Sequence, residues 1–180
     1  MTVDTRLMTA DELLAMPDDG YQYELVRGEL RKMSPGNPIP SSIAIRIAAH
    51  LSEFVYRQKL GMVTGADGGY QLASKPDTVR APDVGFIEKS RHVSERGFMQ
   101  GAPDLAVEVL SPNDLYSEIM EKIGEYLNAG TRVVIVVDPR KQLAWIETLK
   151  GRRQLTIDDS IDAGDVLPGW SLSLRDLFES

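Results

Sequence analysis

A single carboxylate, Glu108, interrupts an otherwise apolar run of the sequence. Every other residue between Leu105 and Leu110 is apolar, and a short apolar run bounded by prolines predicts a strand that is buried on both faces. Burying a carboxylate in such a strand costs several kcal/mol unless a cation, a metal ion or strong hydrogen-bond donors lie opposite it. The sequence therefore predicts a buried partner for Glu108.

Asp83 is a second carboxylate in a position that could serve the same site. It follows Pro82 at the opening of the run VGFI, within a strand expected over residues 79–88. Neighbouring strands could bring Asp83 and Glu108 together, and a hard divalent cation such as Mg²⁺, or Mn²⁺, would then keep both ionised. In the alternative interpretation, Asp83 caps a turn and Glu108 pairs with a buried arginine. The spacing of the residues leaves both interpretations open.

Lys122 could add a positive charge to these two carboxylates. Glu118, Lys122 and Tyr126 follow one another at intervals of four, so they share one stripe of a predicted helix, beside its apolar stripe. From the edge of the contact between helix and sheet, Lys122 could reach Glu108. There it could orient or deprotonate an attacking water and stabilise charge on a phosphate. Alternatively, it forms a surface pair with Glu118 that is worth a few tenths of a kcal/mol.

The composition limits both the chemistry and the location of the protein. The chain has 180 residues, 42% of them hydrophobic, with no cysteine and two histidines. This composition indicates one globular domain over residues 1–180, and it excludes disulfides, thiolate catalysis and sulfur-ligated metals. No run approaches the roughly 18 apolar residues of a membrane helix, and the first residues lack a secretion-signal pattern. We therefore expect a cytoplasmic protein without a membrane partner.

The net charge of −7 is unevenly distributed along the chain. Residues 1–30 hold 7 acidic and 2 basic side chains, and residues 154–180 hold 6 and 1. The segment between them holds 14 acidic and 17 basic side chains, so it has a net charge of +3. This central segment could face a polyanion such as nucleic acid, but an ordinary solvated surface explains the same counts equally well.

Helical and hairpin patterns precede the strands that carry the two carboxylates. Thr9 and Glu12 form a capping-box pattern for a short helix over residues 10–16. The run YQYELVRGELRKM predicts a hairpin joined at Arg27-Gly28 and closed by residues 33–36. A long amphipathic helix is expected over residues 41–59, with a serine N-terminus and an end at Gly61.

The remaining elements complete a predicted mixed sheet. Strands are expected over residues 62–73, with an interruption at Gly68-Gly69, and over residues 79–88, 105–110 and 133–137, with a polar segment over residues 89–103. Residues 111–114 are expected to cap the helix that carries Lys122, and Gly130 to end it. A hairpin around Lys150-Gly151 and an apolar tail follow. This order predicts an α/β or α+β fold: a mixed central sheet flanked by helices, with added N-terminal and C-terminal hairpins.

A series of short motifs runs in order along nearly the whole chain. They are YELVRGEL, MSP, PDVGFI, PDLAVEVLSP, a Lys-x-x-x-Tyr helix, RVVIVVDP after an Ala-Gly stop, and PGWSLSLRDLF. In these motifs the chain resembles the Uma-two family of proposed restriction endonucleases, a branch of the PD-(D/E)xK nuclease superfamily. The resemblance implies a restriction-endonuclease-like fold and a divalent metal, Mg²⁺ or Mn²⁺, as cofactor.

The resemblance also implies roles for individual residues. Asp83 and Glu108 match the two metal-binding carboxylates on adjacent strands. The lysine of the superfamily usually lies two residues after the second carboxylate, where this chain has Leu110. In this family the lysine lies on the next helix, where Lys122 matches it, and Tyr126 follows one turn later.

Glu24 and the histidines are the remaining points of comparison. Glu24 matches the glutamate of the family's YEL hairpin, which implies a further metal ligand or a residue that supports the ligands. Family members often carry a histidine near the start of the long helix, about where this chain has Ser41 and Ser42. Neither His50 nor His92 clearly replaces that histidine, which places the activity of the site in question.

The resemblance implies a metal-dependent nuclease that hydrolyses phosphodiester bonds in nucleic acid, with DNA as the expected substrate. The alternative is a nuclease-like module that binds nucleic acid or a protein partner without cutting. A homodimer is expected by analogy, because a double-strand cutter needs two sites and two-fold symmetry is the commonest way to supply them.

Overall fold

The structure is a computed structural model that describes residues 6–33, 37–93 and 95–179. Its helices are α1 (Ala10–Leu14), α2 (Pro38–Gln58), α3 (Tyr116–Asn128) and α4 (Leu174–Phe178). The strands of the first half are β1 (Tyr23–Val26), β2 (Glu29–Lys32), β3 (Gly61–Gly65), β4 (Tyr70–Ala73), β5 (Thr78–Arg80) and β6 (Val84–Glu88). Those of the second half are β7 (Met99–Gln100), β8 (Leu105–Val109), β9 (Val133–Asp138), β10 (Leu143–Thr148), β11 (Gly151–Leu155), β12 (Ser160–Asp162) and β13 (Ser171–Ser173).

Six strands form the central sheet, in the order β11-β10-β9-β8-β6-β3. Strands β8 and β9 are parallel, and the other neighbours in this sheet are antiparallel. A smaller sheet has the order β2-β1-β5-β4-β7, and β12 pairs with β13. The predicted mixed sheet with flanking helices and added hairpins is confirmed. The short strands β7, β12 and β13 and the short helix α4 were not predicted.

The chain leaves the central sheet and returns to it just after Asp83. After β3 it forms β4 and β5 of the smaller sheet, and it re-enters the central sheet as β6. The continuous strand predicted over residues 79–88 is therefore wrong, because it divides into β5 and β6, and the interruption predicted in residues 62–73 separates β3 and β4 of different sheets. Gly68-Gly69 lies at the first break and Pro82 at the second, where proline lacks the N–H that a continuous ladder would use.

Helices α2 and α3 cover opposite faces of the central sheet. The buried residues of α2 are Ile43, Ile47, Leu51 and Val55, as its spacing predicted. They share a cluster with Val107 of β8, whereas Ala106 shares its cluster with Ile119 and Ile123 of α3. Because successive side chains of a strand point to opposite faces, Glu108 lies on the same face as Ala106, beneath α3.

Helix α2 begins earlier than predicted. The side chain of Asn37 accepts a hydrogen bond from the Ile39 N–H at 3.0 Å, and Pro38 occupies the first turn. Proline is well suited to that turn because the N–H it lacks has no partner there. Ser41 and Ser42 therefore lie inside the helix, and the predicted serine N-terminus is wrong.

Helix α3 begins later than predicted, at Tyr116. Asp114 accepts hydrogen bonds from the N–H and the hydroxyl of Ser111, at 2.7 and 2.9 Å. These bonds close a separate turn over residues 111–114, so the proposed cap at these residues is wrong. The helix ends at Asn128 and Gly130 takes a positive φ of 110°, as expected for a glycine stop.

The terminal regions follow the sequence patterns closely. Thr9 and Glu12 form the predicted capping box, and Arg27-Gly28 makes the hairpin turn with positive φ at both residues. The expected hairpin closure falls partly on residues 34–36, which lie outside the described residues. None of the helices in the described ranges has both the length and the apolar composition that a bilayer-spanning segment requires. That residues 1–180 form one domain stays a prediction.

Gly85 allows the smaller sheet to pack closely on the central one. A Cβ atom at this position would meet the Tyr70 hydroxyl and would lie 2.7 Å from the Thr64 hydroxyl. We expect Gly85→Ala to lower the free energy of unfolding by about 1–3 kcal/mol, because the added methyl overpacks this contact. Gly124→Ala in α3 is the matched control: nothing lies within 4 Å of its added Cβ, so a gain of up to about 1 kcal/mol is expected. Urea denaturation of both variants tests the pair, and equal stabilities would contradict it.

Candidate active site

Glu108 lies on β8, and Asp83 immediately precedes the neighbouring antiparallel strand β6. Strands β6 and β8 pair with Val84 opposite Val107, so continuing this register by one residue would bring Asp83 opposite Glu108, and the charge of Asp83 does act on Glu108. Side chains directly opposite one another point to the same face of a sheet. The Asp83 Oδ2 atom also accepts a hydrogen bond from the Val109 N–H at 2.7 Å. The predicted adjacency of these strands is confirmed.

Glu108 has the buried partners that its position requires. Lys122 Nζ lies 2.9 Å from Oε1 and 3.1 Å from Oε2, and the Tyr126 hydroxyl donates to Oε1 at 3.0 Å. Glu108 is 6% exposed and Tyr126 is fully buried. The alternative in which Glu108 pairs with a buried arginine is therefore wrong, because its cationic partner is Lys122.

Lys122 bridges two acidic residues instead of lying on the surface. Its side chain is about one-tenth exposed, and Nζ lies 3.2 Å from Glu24 Oε1 as well as donating to the Ala81 carbonyl at 3.1 Å. The alternative of a surface pair with Glu118 is wrong for this reason. The apolar stripe of α3, which includes Ile119 and Ile123, packs on the central sheet. Lys122 immediately precedes Ile123, so the same packing places Lys122 over Glu108.

Glu24 belongs to a chain of three salt bridges between α3 and the smaller sheet, which forms a ring with the backbone of α3. Its Oε2 accepts from Arg80 Nη1 at 2.8 Å, and its Oε1 accepts from the Ala81 N–H at 2.9 Å. Arg80 Nε donates to Glu125 Oε2 at 2.6 Å, and Glu125 lies one turn after Lys122 on α3. We call Lys122, Glu24, Arg80 and Glu125 the salt-bridge ring.

Arg80 and Glu125 were not predicted as site residues from the sequence. Arg80 is a charged residue at the end of the buried strand TVR, which is the same signal that drew attention to Glu108. Glu125 immediately precedes Tyr126 and is three residues from Lys122, but it reads as an ordinary surface glutamate of α3. The two histidines lie elsewhere: both are exposed, and His50 contacts the Trp170 ring on the α2 side of the sheet.

The site has more acidic than basic groups. Together with Asp83 and Glu108, the ring brings four carboxylates and two cations into one region. Burial raises the pKa of Glu108 to about 7. The negative charges of Asp83 and Glu24 also raise it, whereas the positive charge of Lys122 lowers it. Burial likewise raises the pKa of Asp83, although the hydrogen bond from the Val109 N–H lowers it in part. A further positive charge nearby would lower the pKa of both carboxyl groups and favour their ionised forms.

The cations and Glu24 are held in their charged forms. Burial alone would lower the pKa of Lys122, but the charges of Glu108 and Glu24 raise it above its ordinary value. Burial opposes ionisation of Glu24 too, but Lys122 and Arg80 lower its pKa below the usual range. Lys122 therefore stays protonated at neutral pH, which suits orienting a water molecule better than deprotonating one.

These pKa shifts predict how the stability of the metal-free protein depends on pH. The folded pKa of Glu108, about 7, lies above its ordinary 4.5, so between these values the native state binds a proton that the unfolded chain releases. The free energy of unfolding should therefore fall as pH rises through this window. We expect Glu108→Gln to flatten the decline, measured by urea denaturation in EDTA at several pH values. If the free energy of unfolding of Glu108→Gln falls with pH as steeply as that of the wild type, a group other than Glu108 causes the decline.

Asp83 and Glu108 are the residues that could hold a metal ion. No group of three or more His, Cys, Asp or Glu side chains within the described ranges is placed to bind one. Mg²⁺ does not require such a group, because it usually keeps several waters and binds through one or two carboxylates and substrate phosphates. The hydrogen bond from Val109 occupies one oxygen of Asp83 and leaves the other for a ligand. Two opposed carboxylates in an acidic region fit this type of binding.

The family comparison gives the class of the protein, which is nuclease-like. The chain belongs to the Uma2 family, described as "Putative restriction endonuclease", whose family model matches residues 10–175. The family resemblance seen in the motifs is therefore confirmed. No curated protein matches the chain.

A solved structure supports the same fold. The chain is similar to the crystal structure of a "putative nuclease belonging to DUF820" from Anabaena variabilis, with a TM-score of 0.83 and 21% sequence identity. The similarity covers 96% of this chain and 98% of the other. At this level of identity the comparison establishes the architecture alone.

Proposed function

We propose that the protein is a metal-dependent nuclease that hydrolyses phosphodiester bonds in DNA. The observation that carries this proposal is the closeness of Asp83 to Glu108, which a buried Lys122 with a raised pKa contacts at 2.9 Å. A module that only binds nucleic acid has no use for buried carboxylates with raised pKa values, because they destabilise the fold at neutral pH. Membership of a family described as restriction endonucleases supports the reaction and favours DNA as the substrate.

The proposed roles follow from the contacts of each residue. Asp83 and Glu108 would hold Mg²⁺ or Mn²⁺, which supplies an activated water and offsets the charge of the phosphate. Lys122 would lie beside the attacking water and stabilise negative charge on the phosphoryl oxygens. Tyr126 fixes one oxygen of Glu108 through its hydrogen bond, and Glu24 holds the other side of the Lys122 ammonium.

Cleavage assays test the proposal directly. Purified protein is incubated with double-stranded DNA, single-stranded DNA and RNA, each with Mg²⁺, with Mn²⁺ and with EDTA. We expect cleavage of DNA in either metal and none in EDTA. Absence of cleavage of all three substrates in both metals would reject the enzyme and leave the non-catalytic binding module as the function.

A homodimer is part of the same proposal. Cutting both strands at one place requires two active sites, and a two-fold symmetric pair of chains supplies them. Sedimentation velocity over a range of protein concentrations tests it. A monomer at all concentrations, with or without DNA, would contradict this part of the proposal without affecting the chemistry.

A further inference from the structure

The salt-bridge ring ties α3 to the smaller sheet at two points. Lys122 and Glu125 lie one turn apart on α3, and each contacts a residue of the smaller sheet, Glu24 in the first case and Arg80 in the second. Arg80 and Glu24 then contact each other at 2.8 Å, which closes the ring. Both the rotation of α3 and its distance from the sheet are restrained by these contacts.

Arg80 can hold two carboxylates because of its planar guanidinium group. Nη1 takes Glu24 and Nε takes Glu125, in directions that are fixed by the geometry of the group. Arg80 is 4% exposed, so solvent screens these contacts weakly. A lysine at this position would provide one ammonium group in place of the rigid fork.

The ring is a poor device for stability alone. Among the described residues, Arg80 Nη2 and Glu125 Oε1 are buried without a hydrogen-bond partner. Buried ion pairs of this kind are often replaced by apolar residues with no loss of stability, or with a gain. The contacts that the ring does make fix geometry, and the geometry that they fix is that of Lys122.

The position of the Lys122 ammonium depends on a balance between two acids. Nζ lies 2.9 Å from Glu108 and 3.2 Å from Glu24, so a small displacement of Glu24 would draw the ammonium with it. Arg80 and the Ala81 N–H together hold Glu24. Without Arg80, Glu24 would keep the Ala81 N–H and, among the described residues, Lys122 as its cationic partner, so it would shift toward Lys122.

We propose that Arg80 is a positioning residue of the active site: with Glu125 it fixes Glu24, and thereby holds the Lys122 ammonium against Glu108. The effect on rate rests on the proposed nuclease function. The effect on the position of Lys122 does not, because the ring exists in the metal-free protein.

The kinetic test uses a double variant, Arg80→Met with Glu125→Gln, so that no charge of Glu125 is left buried alone. We expect kcat at saturating Mn²⁺ to fall at least tenfold, with KM and the Mn²⁺ concentration for half-maximal rate within twofold of wild type. Glu121→Gln is the matched control, because Glu121 precedes Lys122 on α3 but pairs with Arg27 and Arg31 outside the ring. It should leave all three quantities unchanged.

Arg80→Lys separates positioning from folding. It keeps a positive charge between Glu24 and Glu125, so it should fold even if the double variant does not. Because one ammonium cannot reproduce the two fixed directions of the guanidinium, we expect kcat to remain at least threefold below wild type. Wild-type kcat in Arg80→Lys, or in a folded double variant, would overturn the proposal.

A measurement on the metal-free protein distinguishes this proposal from the proposed function. The buried Lys122 ammonium is expected to give a slowly exchanging ¹H–¹⁵N signal, which Lys122→Met identifies by its loss. The signal should shift or broaden in the double variant and in Arg80→Lys, but not in Glu121→Gln. An unchanged signal in Arg80→Lys would reject the positioning role. A shifted signal in a protein that cuts nothing would reject the nuclease alone.

Discussion

Lys122→Met is expected to abolish cleavage while leaving metal binding intact or tighter. The substitution removes the ammonium that lies 2.9 Å from Glu108 and would face the developing charge on the phosphate. Loss of one such group typically costs about 10²–10³-fold in kcat. Lysine is not a ligand, and its loss makes the surroundings of Asp83 and Glu108 more negative, so Mn²⁺ should bind at least as well. Isothermal titration with Mn²⁺ and a DNA cleavage assay measure the two effects separately.

The control for this substitution is Glu118→Gln, which changes an exposed side chain one turn before Lys122 on the same helix. It should cut and bind metal as the wild type does. Because Lys122→Met leaves the charge of Glu24 partly uncompensated, its melting temperature is compared at saturating Mn²⁺ to confirm that the protein is folded. Cleavage at the wild-type rate by the folded variant would remove Lys122 from the mechanism.

Asp83→Asn is expected to lose both metal binding and cleavage. Asparagine keeps the shape of the side chain and an oxygen that can accept the Val109 N–H, so the strand pairing should survive. It removes one of the two charges that would hold the cation, and hard divalent ions depend strongly on carboxylate charge. We expect Mn²⁺ affinity to fall by at least about tenfold, with cleavage below detection. The same titration and assay apply.

The contrast between the two variants tests the assignment of roles. A ligand should affect binding and rate together, whereas Lys122 should affect rate alone. In the metal-free protein, Asp83→Asn should also remove a charge that raises the pKa of Glu108. If Asp83→Asn binds Mn²⁺ as tightly as wild type, the metal site lies elsewhere in the protein.

Local patterns in the sequence were sufficient to predict most helices and strands. The capping box of α1, the turn at Arg27-Gly28 and the buried stripe of α2 depend on neighbouring residues, and all three are present in the structure. The choice of sheet for each strand was not predictable in this way. Residues 62–73 and 79–88 have strand-like sequence patterns, but hydrogen-bond partners from distant parts of the chain divide each segment between two sheets.

In the candidate site, too, features set by neighbouring residues were predictable, whereas contacts between distant residues were not. Glu108 could be identified because a charge within an apolar strand requires a partner, and Lys122 because helical periodicity placed it beside the apolar stripe. Arg80 gave the same signal as Glu108, but its partners lie 56 and 45 positions away in sequence, so neither they nor the role of Glu125 could be predicted. No short-range pattern distinguishes such a glutamate from one on the surface.

The division of the strands between two sheets has a consequence for partly unfolded forms of the protein. Of the metal-binding candidates, Glu108 belongs to the central sheet and Asp83 is hydrogen-bonded to it through Val109, whereas Glu24 and Arg80 belong to the smaller sheet. Protein segments that pack as separate units can open separately under mild denaturant. If the smaller sheet opens first, the carboxylates stay paired while the lysine loses its support. The protein would then pass through a form that still captures metal but has lost its capacity for turnover.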